Sequence, residues 1–156
     1  MALYYDDLEV GQTFTTPART VTETDLVTFA MLSGDWNEIH TDEVFARSTA
    51  YGRRVVHGLF GLSMMTGLLD RAGLFGGSAI AMLGIREWRF AAPIFVGDTI
   101  HATIEITAKR LTSDGDRGIV DRRFTLVNQD GRTVQSGDIP MMIRLAPAGT
   151  GAQAGR

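Results

Sequence analysis

One stretch of sequence decides how this chain folds: Gly58-Leu59-Phe60-Gly61-Leu62-Ser63-Met64-Met65-Thr66-Gly67-Leu68-Leu69. Long apolar side chains recur so often in it that a helix over these residues has little polar face. A helix that is apolar almost all round is buried inside a protein. We therefore predict a buried helix over residues 58–69, with the rest of the chain organised around it.

The chain after this helix alternates between apolar and polar residues, which is the pattern of a half-buried antiparallel strand. The alternation is clearest over residues 100–109, and its apolar positions are Ile100, Ala102, Ile104, Ile106 and Ala108. Turns at residues 113–116 and 128–131 separate this strand from predicted strands over about 118–128 and 132–145. A shorter alternating run over residues 88–92 ends at Pro93. We expect an antiparallel meander.

Shorter elements precede the buried helix. The Thr-rich run over residues 11–21 contains a proline and predicts an edge strand. A helix begins at Thr22, which has capping-box spacing to Asp25, and ends at Gly34. Asp42 can cap a second, short helix. Together these elements predict the α+β class, with an antiparallel sheet wrapped around one helix.

Composition places the chain among single globular domains. Its 156 residues are 44% hydrophobic and 21% charged, and a chain of this length can bury enough surface to fold without metal or disulfide staples. It has no cysteine, which excludes thiol nucleophiles, thiolate metal sites and disulfides. We predict one domain over residues 1–146 and a flexible tail over residues 147–156.

Charge and hydropathy exclude two further classes of protein. The net charge of −3 arises from 18 acidic and 15 basic residues scattered along the chain, so no basic stripe is available for nucleic acid. The first eleven residues lack the basic and apolar regions of a secretory signal. No stretch reaches the roughly 18 uninterrupted apolar residues of a membrane span. We expect a cytoplasmic protein that binds neither nucleic acid nor membranes.

Polar and ionisable side chains cluster most closely in the nine residues Gly34-Asp35-Trp36-Asn37-Glu38-Ile39-His40-Thr41-Asp42. Asp35 and His40 are five positions apart in a predicted irregular loop, where they can approach one small molecule from two sides. One group can accept a proton from water while the other holds or returns a proton. Asn37 between them can bond the loop backbone. The same residue types suit turns and helix caps, so the spacing alone leaves both interpretations open.

The same loop is a poor metal site. Asp35 and Asn37 suit the first and third positions of a calcium loop, but Ile39 stands where the fifth ligand belongs. Zinc would have to use His40, Asp35 and Asp42, with no second histidine nearby in the sequence. We therefore expect no metal.

Gly58 lies where a ligand can approach the backbone closely, because glycine has no side chain in the way. The N–H groups and the positive dipole at a helix N-terminus favour a developing oxyanion. Tight helix–sheet packing is the alternative role for this glycine. His57, beside two valines, is interpreted as a mainly structural histidine. Ser63 lies inside a helix and not on a strand-to-helix turn, so we do not expect it to be a nucleophile.

Seven blocks of the chain are informative together: Phe29, Ser33-Gly34-Asp35-x-Asn37-x-x-His40-x-Asp42, Ala46, Tyr51-Gly52, Val56-His57-Gly58, Thr66-Gly67, and Arg89-Phe90-x-x-Pro93-x-x-Val96-Gly97-Asp98-Thr99. In this order they resemble the MaoC-like dehydratases, and in particular the R-specific enoyl-CoA hydratases. The resemblance covers the chain from about residue 7 to residue 145. It implies the hot-dog fold, a curved antiparallel sheet around a long central helix.

The resemblance also implies roles for individual residues. Asp35 and His40 match the catalytic pair that holds a water molecule. Three positions match the substrate side of the site: Gly58, whose backbone N–H would polarise a thioester carbonyl, Asn37, which would fix the loop, and Thr66, whose hydroxyl would lie near the catalytic aspartate.

The reaction implied by the resemblance is reversible syn addition of water to a trans-2-enoyl thioester, which gives an R-3-hydroxyacyl thioester without a cofactor or metal. The acyl group would be carried by CoA or by an acyl-carrier protein. Glu38 stands where the family usually has a proline, and this departure leaves the choice of acyl group open. A hot-dog acyl-CoA thioesterase is the alternative enzyme, and a non-catalytic acyl-binding domain is the third hypothesis.

The same resemblance also implies which partners the chain has. Family members are homodimers, and a long alternating strand leaves an edge that is usually covered, so we expect a homodimer or a dimer of dimers. The CoA phosphates need local positive charge, for which Arg53, Arg54, Arg86 and Arg89 are candidates.

Overall fold

The computed structural model describes residues 2–147. Within them a 3₁₀ turn at Tyr5–Asp7 precedes four helices, α1 (Glu23–Ser33), α2 (Glu38–Thr41), α3 (Glu43–Ser48) and α4 (Gly58–Arg71). The strands are β1 (Thr13–Thr15), β2 (Arg19–Thr20), β3 (Ala79–Met82), β4 (Arg86–Phe90), β5 (Thr99–Leu111), β6 (Arg117–Val127), β7 (Thr133–Asp138) and β8 (Met141–Arg144). They form one antiparallel sheet, as the α+β prediction requires. Of the predicted tail, residues 148–156 lie outside the described residues.

The long strands β5 and β6 form the centre of the sheet. β5 pairs with β1 and β2 on one side and with β6 on the other. β6 pairs with β7 and, further along, with β8, and these two carry β4 and β3 at the outer edge. The single strand predicted over 132–145 is therefore two strands. The chain breaks at Pro140, which has no N–H to donate to the ladder.

Helix α4 packs across one face of the sheet and fills the core. Its inward side chains are buried: Phe60, Met64, Met65 and Leu68. The sheet residues in the same buried cluster are Ile100, Ala102, Ile104, Phe124, Leu126 and Val134. The opposite face of α4 is exposed, and Leu59 on it is 61% exposed. The prediction of a helix buried all round is thus wrong for a single chain.

The predicted alternation of β5 holds except at its end. Ile100, Ala102, Ile104 and Ile106 are fully buried, but Ala108 is exposed. A register shift between Ile106 and Ala108 reverses the side on which the later residues point. The prediction for Ala108 is therefore wrong.

The predicted helix caps are in place around the polar loop. The Thr22 side chain accepts a hydrogen bond from the Asp25 N–H, and Asp25 accepts one from the Thr22 N–H. α1 ends at Gly34 with φ of 73°, a left-handed conformation that glycine adopts without strain. Asp42 caps α3 by accepting from the N–H groups of the first turn. These caps hold both ends of the loop that carries Asp35.

The described part of the chain has no helix that is both long enough and apolar enough to cross a membrane.

Candidate active site

The loop between α1 and α3 carries Asp35 and His40. The prediction of an irregular loop is wrong for its second half, which forms the single helical turn α2. Asn37 caps this turn, with its Oδ1 accepting from the Ile39 N–H at 3.1 Å. Asp35 Oδ1 in turn accepts from the Asn37 N–H at 3.2 Å. Asn37 thus has the loop-fixing contact expected from the sequence.

His40 is bound at one ring nitrogen and open at the other. Its Nδ1 lies 2.6 Å from the backbone oxygen of Val55. Because a carbonyl oxygen only accepts, Nδ1 carries the hydrogen and donates it. In the neutral ring Nε2 then has the lone pair, and it lies 3.8 Å from Asp35 Oδ2. That separation is too long for a direct hydrogen bond, but one water can contact both groups.

The two members of this pair differ in exposure. The side chain of His40 is 14% exposed and that of Asp35 is 53% exposed. The structure therefore sets a half-buried imidazole beside a carboxylate that solvent can reach in a single chain.

Residues 55–58 form a connecting segment, the 55–58 segment, that leads from the polar loop into α4. The Val55 N–H donates to the Ile39 oxygen at 3.1 Å, and the Val56 N–H donates to the Ile94 oxygen at 2.8 Å. These bonds fasten the segment on both sides. It then supplies His57 and Gly58 in succession.

His57 contacts both members of the predicted catalytic pair. Its Nε2 lies 2.9 Å from the backbone oxygen of Asp35, and its ring stacks on His40 with centroids 3.8 Å apart and planes at 24°. No local pattern indicates these contacts, because His57 is 17 residues from His40 and 22 from Asp35.

The expectation that no second histidine lies near a zinc site is wrong in the folded chain. Asp35, His40 and His57 each offer a ligand atom, and these atoms lie within 4.8 Å of one another. The geometry still suits a metal poorly. Two stacked, nearly parallel imidazoles do not direct their in-plane lone pairs to one point, and each ring already uses one nitrogen on a backbone oxygen.

A cavity of about 340 Å³ opens beside His40 and Gly58. Its lining comes from residues 39–40, from Val55, Val56 and Gly58 of the 55–58 segment, from residues 90–94, and from Tyr51 and Gln135. Gly58 is the first residue of α4, so its N–H has no acceptor within the helix, and the helix dipole adds positive potential there.

Gly58 also packs tightly. A Cβ at this position would lie 2.8 Å from Cε1 of Phe90. The packing interpretation of this glycine is confirmed, whereas the approach of a ligand to its backbone stays a prediction.

Sequence reasoning missed Gln135. This side chain is 2% exposed, its Nε2 donates to the Gly58 oxygen at 2.9 Å, and its Oε1 accepts from Trp88 Nε1 at 3.1 Å. It thereby ties β7 and β4 to the first turn of α4. The only available signal was an amide beside Val134 in an otherwise alternating strand.

The structure does not bring Thr66 to the cavity. Its Oγ1 donates to the Ser63 oxygen at 2.7 Å on the exposed face of α4. At 1.5 Å per residue, Thr66 lies about 12 Å along the helix from Gly58. Its predicted role beside Asp35 stays a prediction.

Comparison with known proteins gives this site its context. A family model for the MaoC like domain matches residues 7–127. This chain belongs to the MaoC-like dehydratase family. Protein MaoC of Klebsiella aerogenes is 41% identical over 109 residues, which are 70% of this chain and 31% of that protein. The (R)-specific enoyl-CoA hydratase of Aeromonas caviae is 34% identical over 131 residues, which are 84% of this chain and 92% of that enzyme. This MaoC family member thus spans about a third of the first relative and nearly all of the second.

Solved structures agree with the MaoC family assignment. R-hydratase PhaJ1 from Pseudomonas aeruginosa has a TM-score of 0.76 at 28% identity, over 93% of this chain and 88% of that one. A Mycobacterium tuberculosis protein with a double hotdog fold has a TM-score of 0.83 at 22% identity, over 99% of this chain and 47% of that one. The predicted hot-dog fold is confirmed.

Proposed function

We propose that this protein is an R-specific enoyl-CoA hydratase, which also catalyses the reverse dehydration of 3-hydroxyacyl-CoA. One observation carries the proposal: His40 Nε2 and the Asp35 carboxylate lie 3.8 Å apart, and His40 lines a cavity that also exposes the start of α4. A water held by both groups has an acceptor for its proton on each side. The ligand would meet a backbone donor at Gly58.

The proposed reaction needs one proton removed and one delivered. The water oxygen attacks C3 of the enoyl thioester while its proton passes to the Asp35/His40 pair. The C2=C3 electron pair moves towards the thioester oxygen, where the Gly58 N–H and the α4 dipole stabilise the negative charge. C2 then takes a proton from the pair, and the enzyme returns to its starting state. No proton is gained or lost overall, as addition of water requires.

The relatives favour hydration over thioester cleavage. The Aeromonas caviae relative is named an (R)-specific enoyl-CoA hydratase, and a Methylorubrum extorquens relative, 35% identical over 104 residues, is named a 3-hydroxybutyryl-CoA dehydratase. Both names describe the same reversible step and place the enzyme among hydro-lyases, as predicted from the sequence. The thioesterase alternative has no such support. The cytoplasmic location stays a prediction.

The contacts of the four candidate arginines show which of them could still bind the CoA phosphates. Arg54 donates two hydrogen bonds of 2.9 Å to Glu23, and Arg86 forms an ion pair with Asp121 at 2.5 Å. Arg53 lies over the Phe95 ring at 3.8 Å, where its charge stays available to a phosphate. We favour Arg53 and the exposed Arg89 for this role.

A homodimer is the assembly that the outer sheet edge supports. Within the described chain, no strand pairs with the outer side of β3 or β4. The large apolar side chains exposed along this edge are Ile80, Met82, Leu83, Ile85 and Phe90. An unpaired apolar edge is normally covered, and a second copy pairing there would also enclose the cavity beside Phe90.

The proposed function is tested by mixing purified protein with crotonyl-CoA and following the absorbance of the enoyl thioester. Loss of the absorbance of the conjugated enoyl thioester, with R-3-hydroxybutyryl-CoA as product and no free thiol, is the expected result. Free thiol would establish the thioesterase instead. Tight binding of crotonyl-CoA without turnover, repeated with longer enoyl chains, would establish a binding domain.

A further inference from the structure

His57 is the one side chain of the described residues that contacts both Asp35 and His40 and lies outside the cavity lining. It is 3% exposed, and its ring is held on the far side by Phe29, with centroids 5.2 Å apart. Such a side chain cannot meet a substrate in the cavity. It can instead fix the positions of Asp35 and His40.

The hydrogen-bond partner of His57 sets its tautomer. Nε2 faces a backbone oxygen at 2.9 Å, so Nε2 carries the hydrogen and donates it. Nδ1 is buried and has no hydrogen-bond partner in the described structure, which fits a bare lone pair better than a buried donor, because an unsatisfied N–H is costly. His57 and His40 are therefore opposite tautomers, with hydrogen on Nε2 in one ring and on Nδ1 in the other.

From this arrangement, and resting on the proposed hydratase function, we infer that His57 is a positioning residue for the Asp35/His40 pair. Its N–H fixes the backbone of Asp35, and its ring fixes the plane of His40. The 55–58 segment thereby supplies three contacts in succession: the Val55 oxygen for His40, the His57 ring for both acid–base groups, and the Gly58 N–H for the thioester oxygen.

Histidine NMR on the wild-type protein tests the arrangement without any assay of activity. The chain has three histidines, His40, His57 and His101, and the variants His101→Gln and His40→Gln each remove one set of signals, which assigns all three. Nitrogen-15 shifts report which ring nitrogen carries hydrogen. We expect hydrogen on Nδ1 of His40 and on Nε2 of His57. Hydrogen on Nδ1 of a neutral His57 would overturn the inference whatever the enzyme's activity.

Kinetics test the consequence for catalysis. His57→Phe keeps an aromatic ring against His40 and removes the donor to Asp35. We expect kcat to fall about 10- to 100-fold, because small misplacement of reacting groups is costly, while KM changes less than about twofold. His57→Gln, whose amide can donate from a similar position, should recover part of kcat. Leu68→Val is the matched control, since it loosens the core around α4 about 15 Å along the helix from Gly58, and it should keep kcat.

The outcomes separate this inference from the proposed function. Wild-type kcat in His57→Phe, or equal losses in His57→Phe and Leu68→Val, would overturn the positioning role. If His57→Phe does not fold, the tautomer measurement and His57→Gln decide the matter. The expected tautomers in a protein that hydrates no enoyl thioester would overturn the proposed function and keep the arrangement.

Discussion

The Val55 oxygen accepts a hydrogen bond from Nδ1 of His40, so the ring can accept a proton only through the nitrogen that faces Asp35. The direction of proton transfer is thus set by a backbone group and not by a charged side chain. A substitution at Val55 that keeps the backbone in place would leave this direction unchanged.

Replacing either acid–base group should remove activity and preserve the fold. We expect Asp35→Asn and His40→Gln each to lower kcat by about 10²- to 10⁴-fold, the usual contribution of general acid–base catalysis. Neither side chain is in the hydrophobic core, so circular dichroism and the thermal midpoint should change little.

The matched control for His40→Gln is His101→Gln, on β5 and away from the cavity lining. It should retain wild-type kcat. Near wild-type turnover in Asp35→Asn or in His40→Gln would remove that residue from the mechanism.

Local spacing identified Asp35 and His40 as a possible pair but did not identify the residues that support them. Asp35 and His40 are five positions apart, and one short loop brings them together. His57 and Gln135 reach the site from elsewhere in the chain, through the path of α4 and the register of β7. Contacts of that kind depend on how elements pack, which no local pattern records.

At the scale of elements, the contact between α4 and β7 is tight at one point. A Cβ on Gly61 would lie 2.3 Å from Gln135 Nε2, whose amide is bonded at both ends. We expect Gly61→Ala to lower the free energy of unfolding by about 1–3 kcal/mol, as overpacking usually does. Urea unfolding monitored by tryptophan fluorescence measures this.

Gly67→Ala is the control in the same helix, because a Cβ there meets nothing within 4 Å. Its free energy of unfolding should stay equal or rise by about 0.4–1 kcal/mol, since alanine favours the helix. Equal effects of the two substitutions would refute the contact between α4 and Gln135 as the cause.

The N-terminal cap of α1 should make stability depend on pH. Partial burial acts to raise the pKa of Asp25, but hydrogen bonds from Thr22 and Arg19 outweigh it and hold that pKa below the usual value of 3.8. A lowered pKa stabilises the fold above about pH 4, and this stabilisation is lost as pH falls through the lowered value. We therefore expect Asp25→Asn to be less stable than wild type at pH 7, with the difference shrinking below pH 4.

Thermal unfolding between pH 2.5 and 7 checks this prediction. Asp114→Asn, in the exposed turn between β5 and β6, serves as the control and should follow the wild-type pH profile. A pH-independent difference between Asp25→Asn and wild type would mean that the capping geometry, and not the charge of Asp25, stabilises α1.

Elements whose signals are local were predictable from sequence. The caps of α1 and α3, the turns of the meander and the alternation of β5 each depend on a few neighbouring residues. The break at Pro140 had a local signal, the proline itself, which the predicted single strand ignored. The reversal at Ala108 was not predictable, because it depends on the register between β5 and β6.

For the whole molecule, the outer edge at β3 and β4 governs assembly. We expect Ile85→Lys, which places a charge on this edge, to convert the proposed dimer to a monomer in light scattering. Activity should fall with it, because Phe90 at the same edge lines the cavity. Val10→Lys is the control, since Val10 is 61% exposed and lies far from this edge in the sequence. A dimer that survives Ile85→Lys would place the interface elsewhere.

The cavity walls have separate origins, and this matters for redesign. The acid–base groups and the oxyanion donor belong to the polar loop and the 55–58 segment, whereas residues 90–94 form a wall that donates backbone hydrogen bonds to Val134 from Ala91 and Ala92. Ala91 and Ala92 belong to the part of the wall fastened to β7, whereas Phe90 packs on Gly58 and Ile94 bonds to Val56. We therefore expect enlarged or polar side chains at Ala91 and Ala92 to change which acyl groups the proposed enzyme accepts more than they change its acid–base chemistry.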